Sequence, residues 1–256
     1  MKSATLELLR EPGTGDSLEI QAGTLVNPKT GRRYALRDGI PLFAESATGQ
    51  NHKYQHMYDR IARCYDLGDW LGRCYFWLRR ARNPRKKLVA ELALPPAGRV
   101  LEVSIGTGLN VLHLPAAIEV FGLDLSWGML ARCCRNLARW KRSAELFQGE
   151  GEHLPFKDDS FDAVLHTGGI NFFNDKSRAM REMVRVAKPG AKIVISDETE
   201  EAVKGLYEKT PLIKSYYHDR DQPVSCPINE VPPGMLEVQA TELLFGKLYC
   251  LSFRKP

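Results

Sequence analysis

Val100-Leu101-Glu102-Val103-Ser104-Ile105-Gly106-Thr107-Gly108-Leu109-Asn110 is the stretch that decides the fold. A short run of strand composition enters a turn carrying two glycines, and a helical apolar pattern follows. Glycines at such a turn let the backbone come close to a ligand, and the first strand-to-helix loop of an open α/β sheet is where ligands bind. A dinucleotide fingerprint needs a third glycine three residues after the second, and Val111 stands there instead. An acid inside the strand, Glu102, is likewise foreign to a plain nicotinamide site.

Working outward from that turn, Glu119-Val120-Phe121-Gly122-Leu123-Asp124, Phe161-Asp162-Ala163-Val164-Leu165 and Lys192-Ile193-Val194-Ile195-Ser196 read as further strands. Helical patterns near 108–116, 127–140 and 175–187 fall between them. Strands alternating with helices give βαβ units, a parallel sheet and right-handed crossovers. The tail breaks the alternation. Glu237 to Phe245 and Lys247 to Phe253 meet at Gly246 with no helix-length spacer, which predicts an antiparallel hairpin on the sheet edge.

Upstream, aromatic and apolar residues recur at helical spacing from Tyr54 to Leu78 up to the break at Pro95-Pro96, which predicts two or three helices. The first 45 or so residues are different again. Turn formers such as Glu11-Pro12-Gly13 and Asn27-Pro28-Lys29-Thr30-Gly31 separate short β-like runs, the pattern of a small antiparallel appendage.

The chain has 256 residues, 36 Lys and Arg against 31 Asp and Glu, and 43% hydrophobic residues, so it is neither collagenous nor broadly disordered. No apolar run reaches the roughly 18–20 residues of a membrane span, and Met1 to Glu7 lacks the apolar core of a signal peptide. A cytoplasmic protein is therefore expected. The 6 cysteines form no Cys-x-x-Cys pair and read as reduced thiols.

Two acidic positions extend the candidate site. Asp124, about 20 residues beyond the glycine turn and at the tip of the adjacent strand, is placed to accept hydrogen bonds from ribose hydroxyls. Gly149-Glu150-Gly151-Glu152 forms a further acidic loop before the Phe161 strand.

With these in place the chain resembles the class I S-adenosylmethionine-dependent methyltransferases, most closely the ubiquinone/menaquinone C-methyltransferase superfamily, from about Tyr54 to Arg254. The carrying motifs are Tyr58 to Asp66, Leu101 to Gly108, Asp124-Leu125-Ser126 with Met129-Leu130, Gly149 to Phe156 with Ser160 to Val164, and Glu182 to Gly190. The resemblance implies an α/β, Rossmann-like sheet of seven strands, parallel with a C-terminal antiparallel hairpin, plus the β-rich appendage. It divides the chain into the appendage at 1–45, a helical lid at 46–96 and an S-adenosylmethionine-binding domain at 97–256. It also implies site roles. Glu102 with the backbone of Ser104, Gly106, Thr107 and Gly108 would hold the methionine moiety of S-adenosylmethionine, and Asp124 the ribose. Leu125 and Met129 would pack on the adenine, and Glu150 with Gly151 address its edge. Thr167 and Gly168 would pass the sulfonium, with Tyr58 and Tyr65 on the lid. Ser104 replaces the usual first glycine of the turn and calls for a negative φ, and Ile105 replaces a small residue.

The appendage resembles the small zinc-ribbon-derived domain that serves as an activating partner of some methyltransferases. Glu11 and Asn27 stand where its metal-binding forms carry cysteines, so no zinc is expected. Removing the first 45 residues is expected to leave cofactor binding intact.

Methyl transfer needs a general base only when the acceptor must lose a proton. His166, Tyr216, Tyr217 and His218 are the candidates; Cys226 reads as a loop cysteine. Phe172, Phe173 and the aromatic helices favour an apolar or aromatic small-molecule acceptor. The competing reading is an RNA methyltransferase or RNA-associated protein. It rests on Arg79, Arg80, Arg82, Arg85, Lys86 and Lys87, with Arg132, Arg135, Arg139, Lys141 and Arg142, against the plainer reading of solvated helix faces.

Overall fold

The computed structural model describes residues 3–44, 47–78, 83–210, 214–218, 220 and 223–256, apart from the side chains of 3, 63–64, 67–78 and 218. Arg79, Arg80 and Arg82 of the first basic cluster lie outside the described residues.

The appendage contains a short helix α1 (Ser3–Leu6), strands β1 (Glu19–Gln21), β2 (Thr24–Val26) and β3 (Arg33–Tyr34) in one antiparallel sheet, and a hairpin of β4 (Leu36–Arg37) and β5 (Ile40–Pro41). Two tight turns start at Glu11 and Asn27, each residue's carbonyl accepting from a glycine amide four positions on, Gly15 and Gly31. Glu11 and Asn27 bond each other at 2.6 Å. The buried Glu11 carboxylate also accepts from Thr14 Oγ1 at 2.7 Å and Tyr34 Oη at 2.9 Å. Burial alone would raise this carboxyl, but those three donors outweigh it and hold its pKa below the ordinary value. A carboxylate with neutral donors thus ties the two turns together.

Two helices follow, α2 (Gly49–Leu78) and α3 (Pro84–Glu91), the second capped by Asn83 with proline in its first turn. The main sheet is built from β6 (Gly98–Val103), β7 (Ile118–Asp124), β8 (Glu145–Gln148), β9 (Phe161–Thr167), β10 (Ala187–Glu198), β11 (Leu236–Leu243) and β12 (Leu248–Arg254). Its order is β11-β12-β10-β9-β6-β7-β8, with β11 and β12 antiparallel and the rest parallel. The seven-stranded expectation and the closing hairpin hold. Glu145-Leu146-Phe147-Gln148 was too short to stand out as a strand in the sequence. The helix anticipated near 108–116 is only a 3-10 turn, Leu109–His113.

Helices α4 (Trp127–Trp140) and α5 (Lys176–Val186) cover opposite faces, each started by a side-chain cap, Ser126 and Asp175. On one face Val100, Val120, Leu165 and Val194 pack against α3 and α4 residues such as Leu88, Leu130 and Leu137. On the other, Leu101, Phe121, Phe161 and Ile193 pack against Met180, Met183 and Val186 of α5. The stretch between β10 and β11 carries α6 (Glu200–Gly205) and α7 (Lys214–His218).

The appendage is not a separate body. Leu9, Leu18, Leu25, Tyr34 and Phe43 belong to the same buried cluster as Phe147, Phe156 and α5, while Ile40 belongs to the cluster on the opposite face. Leu42 pairs in parallel with Gln148, the last residue of β8, and Leu9 bridges Phe156. Arg37 stacks over the Trp127 ring at 4.0 Å. The first 43 residues therefore wrap the β8 edge and reach both faces. Among the described residues no helix is long and apolar enough to cross a membrane.

Candidate functional site

Parallel strands deliver their carboxyl ends to one rim, and the order reverses between β6 and β9, the switch point where α/β sheets open a crevice. That rim gathers Glu102, the 104–108 turn, Asp124, Thr167, Gly168 and the Asp197-Glu198 end of β10.

Glu102 is fully buried. Its Oε1 accepts from Asn110 Nδ2 at 2.6 Å, and the same amide donates to Thr167 Oγ1 at 2.9 Å. Arg85 Nη1 in turn donates to Asn110 Oδ1 at 2.9 Å. Glu102 Oε2 has no hydrogen-bond partner among the described residues. Burial pushes the Glu102 carboxyl up to about 7, with Asn110 and Arg85 only partly opposing it. Asn110 is a site residue that the sequence reading passed over, although it closed the deciding motif. Arg85, assigned to a basic surface, is drawn inward.

Asp124 holds the turn in place. Its Oδ2 accepts from the Gly106 amide at 2.8 Å and its Oδ1 from the Ser126 amide at 2.9 Å. Burial dominates those bonds and lifts its carboxyl to about 6. Within the turn Ser104 has φ of +60°, opposite to the expected sign, followed by Gly106 at +56° and Gly108 at +80°. A serine in the left-handed region costs about 1–2 kcal/mol. Ser104→Gly is expected to leave stability unchanged or raise it by up to about 1 kcal/mol despite the extra chain entropy of glycine; urea unfolding checks this, and a clear loss would show that the serine side chain earns its place. Ile105 fits because Gly122 faces it, where a Cβ would meet Ile105 Cδ1 at 2.2 Å. By contrast, a Cβ on Gly106 or Gly168 would meet nothing within 4 Å, so both glycines face open space.

Helix α2 is docked over this rim. Asp59 Oδ1 accepts from Ser126 Oγ at 2.6 Å and the Gly128 amide at 2.8 Å, capping the start of α4 from another helix. Asp66 Oδ2 accepts from Arg132 Nε at 2.7 Å and Asn136 Nδ2 at 2.9 Å. At the helix start, Asn174 Oδ1 receives the Gln50 amide at 2.8 Å, and buried Glu152 receives Asn51 Nδ2 at 3.1 Å. Arg132 is thus tied to α2, and Arg142 donates to the Leu114 carbonyl at 2.8 Å.

The remaining expected residues divide. Met129 is buried, and Leu125 gives its carbonyl to Gln55 and Gln148. Glu150 lies 3.4 Å from His153 Nδ1, and Gly151 faces the Phe173 ring. Tyr58 and Tyr65 rings sit 6.4 Å apart on α2, with Tyr58 Oη over Gly169. Tyr217 is buried with its ring 5.3 Å from Phe172 and 5.0 Å from Tyr207. Tyr216 offers its carbonyl to Tyr54. The His218 side chain lies outside the described residues. Cys226 is partly buried against the main core.

His166 does not reach the rim. It is fully buried on the α5 side of the sheet, its Nδ1 3.0 Å from the Val103 carbonyl and its ring against Phe173, and burial drives its pKa down to about 4. Strand alternation puts it on the face opposite Thr167, so a neutral core histidine replaces the expected base.

Residues 101–195 match a protein family described as a methyltransferase domain. A demethylmenaquinone methyltransferase of Mycobacterium sp. (strain KMS) is 33% identical over 165 residues, covering 62% of this chain and 66% of the relative. The chain thus spans just under two thirds of that relative's length. Among solved structures, an S-adenosylmethionine-dependent methyltransferase from Thermotoga maritima superposes with a TM-score of 0.57 at 22% identity, over 79% of this chain and 99% of that one. A chain from the complex between the Haloferax volcanii Trm112 methyltransferase activator and a methyltransferase superposes with a TM-score of 0.56 at 17% identity, over 74% and 95%. At these identities the superpositions carry the fold.

Proposed function

Because this chain carries a class I S-adenosylmethionine-dependent methyltransferase domain, we propose that it transfers a methyl group from S-adenosylmethionine to a small aromatic or apolar molecule. The observation that carries the reading is the buried Glu102 Oε2, without a partner among the described residues, beside a glycine turn facing open space. A buried carboxylate oxygen without a donor is costly unless a ligand supplies one, and an amino acid ammonium does so. The residues present fit the group. Glu102 and the 104–108 turn would take its amino acid end, Asp124 its ribose, and Met129 with Leu125 its base. When bound, the sulfonium supplies the methyl group together with its own leaving group.

The protein's share of the work is alignment and exclusion of water. Helix α2, pinned through Asp59 and Asp66 to α4, roofs the crevice. Tyr58, Tyr207 and Tyr217 join Phe172 and Val203 of α6 in one apolar cluster beside the crevice, where the acceptor would sit. Ring surfaces there support an aromatic acceptor. The appendage occupies the β8 edge within the chain, which supports a built-in supporting role for it.

Asp124→Ala is expected to weaken S-adenosylhomocysteine binding by about 1–3 kcal/mol, the scale of a lost buried polar partner. Calorimetry checks this, followed by a labelled-methyl screen of small-molecule and RNA pools. Unchanged affinity would remove Asp124 from the ribose, and transfer to RNA alone would move the acceptor to the other class.

A further inference from the structure

One arc of helix α2 carries Asn51, Gln55, Asp59 and Asp66. At about 100° per residue these positions fall within about 80° of the helix circumference, over a rise of about 22 Å. The neighbouring arc does the packing: Tyr54, Met57, Tyr58 and Ile61 join Phe172, Val203 and Tyr217 in one apolar cluster. The polar arc is free for another task, and each of its residues goes to a different place.

Asn51 Nδ2 donates to Glu152, in the loop that also holds Glu150 and Gly151, at 3.1 Å. One turn on, Gln55 Nε2 donates to the Leu125 carbonyl at 3.1 Å. Asp59 accepts from the Ser126 hydroxyl at 2.6 Å, and the amide of that serine donates to Asp124, whose other oxygen holds the Gly106 amide. Asp66 accepts from Asn136 Nδ2 at 2.9 Å, and the same amide group donates to the Thr107 carbonyl at 3.0 Å. In order along the helix, the arc reaches the base, ribose and amino acid segments of the proposed cofactor site. The approach is close as well. A Cβ on Gly128 would meet Asp59 Cα at 3.1 Å and its carbonyl oxygen at 3.2 Å, so a bare Gly128 lets α2 lie against the start of α4.

Loops hold a ligand tightly when their geometry is fixed before it arrives, because the ordering cost is then already met. A helix bonded to all of these loops moves with them, and coupling between two binding events is reciprocal. We propose that Asn51, Gln55, Asp59 and Asp66 are positioning residues for the cofactor: docked α2 sets the loops, and the cofactor in turn fastens α2. Closing the lid and filling the site are then one coupled event. The proposal deepens the cofactor assignment above and rests on it.

The test combines calorimetry with S-adenosylhomocysteine and amide hydrogen exchange over residues 50–66. In the parent, saturating S-adenosylhomocysteine is expected to slow exchange there by about 5- to 150-fold, the usual range of coupling between sites, and to leave the β11–β12 hairpin unchanged. Asp59→Ala combined with Asp66→Ala is expected to weaken binding by a factor in that same range and to abolish the slowing. Asp59→Asn combined with Asp66→Asn keeps an acceptor at each position and is expected to restore both the affinity and the slowing. Exchange that ignores the ligand in the parent overturns the proposal, as does an alanine pair that binds like the parent or an asparagine pair as weak as the alanine pair. The parent measurement needs no variant, so it decides even where the alanine pair does not fold. A parent that binds no S-adenosylhomocysteine removes the cofactor reading and this proposal together, whereas the other adverse results remove this proposal alone.

Discussion

A chain beginning at Thr48 is expected not to fold. The deletion removes Leu9, Leu18, Leu25, Tyr34 and Phe43 from the α5 face and Ile40 from the α4 face. At about 1.5–3 kcal/mol for each large buried side chain, the five on the first face alone contribute about 7–15 kcal/mol, the size of a typical domain's entire stability. What they cover is an aromatic nest: Phe156 lies 5.0 Å from both Phe147 and Phe161, with Phe121 beside them. The β8 edge would also open to solvent as an unpaired strand. Size-exclusion chromatography and near-ultraviolet circular dichroism of the truncated chain check this. A monomer with cooperative unfolding and intact S-adenosylhomocysteine binding would restore the separable appendage that the sequence suggested.

Glu102→Gln is expected to separate binding from stability. At pH 8 the free protein should be at least as stable as the parent, because the buried carboxyl titrates near 7 against an ordinary 4.5. A folded-state pKa above the unfolded one gives stability that is present below about pH 4.5 and lost as pH rises through about 7. At full burial that loss is roughly 3 kcal/mol, and glutamine escapes it. S-adenosylhomocysteine affinity should fall roughly 10- to 150-fold, since a hydrogen bond to a charged group contributes about 1.5–3 kcal/mol. In the parent, affinity should rise with pH by about tenfold per unit below 7 as Glu102 ionises to meet the ligand's ammonium, and flatten above it. Parallel thermal melts and calorimetry from pH 5 to 8 read both. A pH-independent affinity would show that Glu102 does not meet a cation.

The parts of this site written in local pattern are legible in the sequence itself. The 100–110 run placed Glu102 and the glycine turn, and Asp124 followed from its spacing to that turn. What escaped were properties of pairs distant in sequence. Ser104 takes a left-handed φ in a turn that Asp124 holds through the Gly106 amide, 18 residues from it in sequence. Ile105 depends on the absence of a side chain at Gly122. His166 looked catalytic by its place at a strand end, but alternation turned it into the core. Arg85 and Arg132 looked like a basic surface until Asn110 and Asp66 claimed them. The appendage misled most, because turn-rich composition signals a small β unit but says nothing of which surface it must cover.

The parallel pairing of Leu42 with Gln148 and the bridge from Leu9 to Phe156 set an order of events during synthesis. The appendage leaves the ribosome before the sheet it covers, and its partners lie over 100 positions later, which at about 5–20 residues per second is a wait of roughly 5–30 s. Throughout that interval Leu9, Leu25 and Phe43 have no sheet to rest on, and the contacts they finally make are among the longest-range in the chain. Yield in cells should therefore depend on chaperone supply and on translation speed through the codons between the appendage and Phe156 more than it does for a chain whose sheet edge is covered by a neighbouring segment.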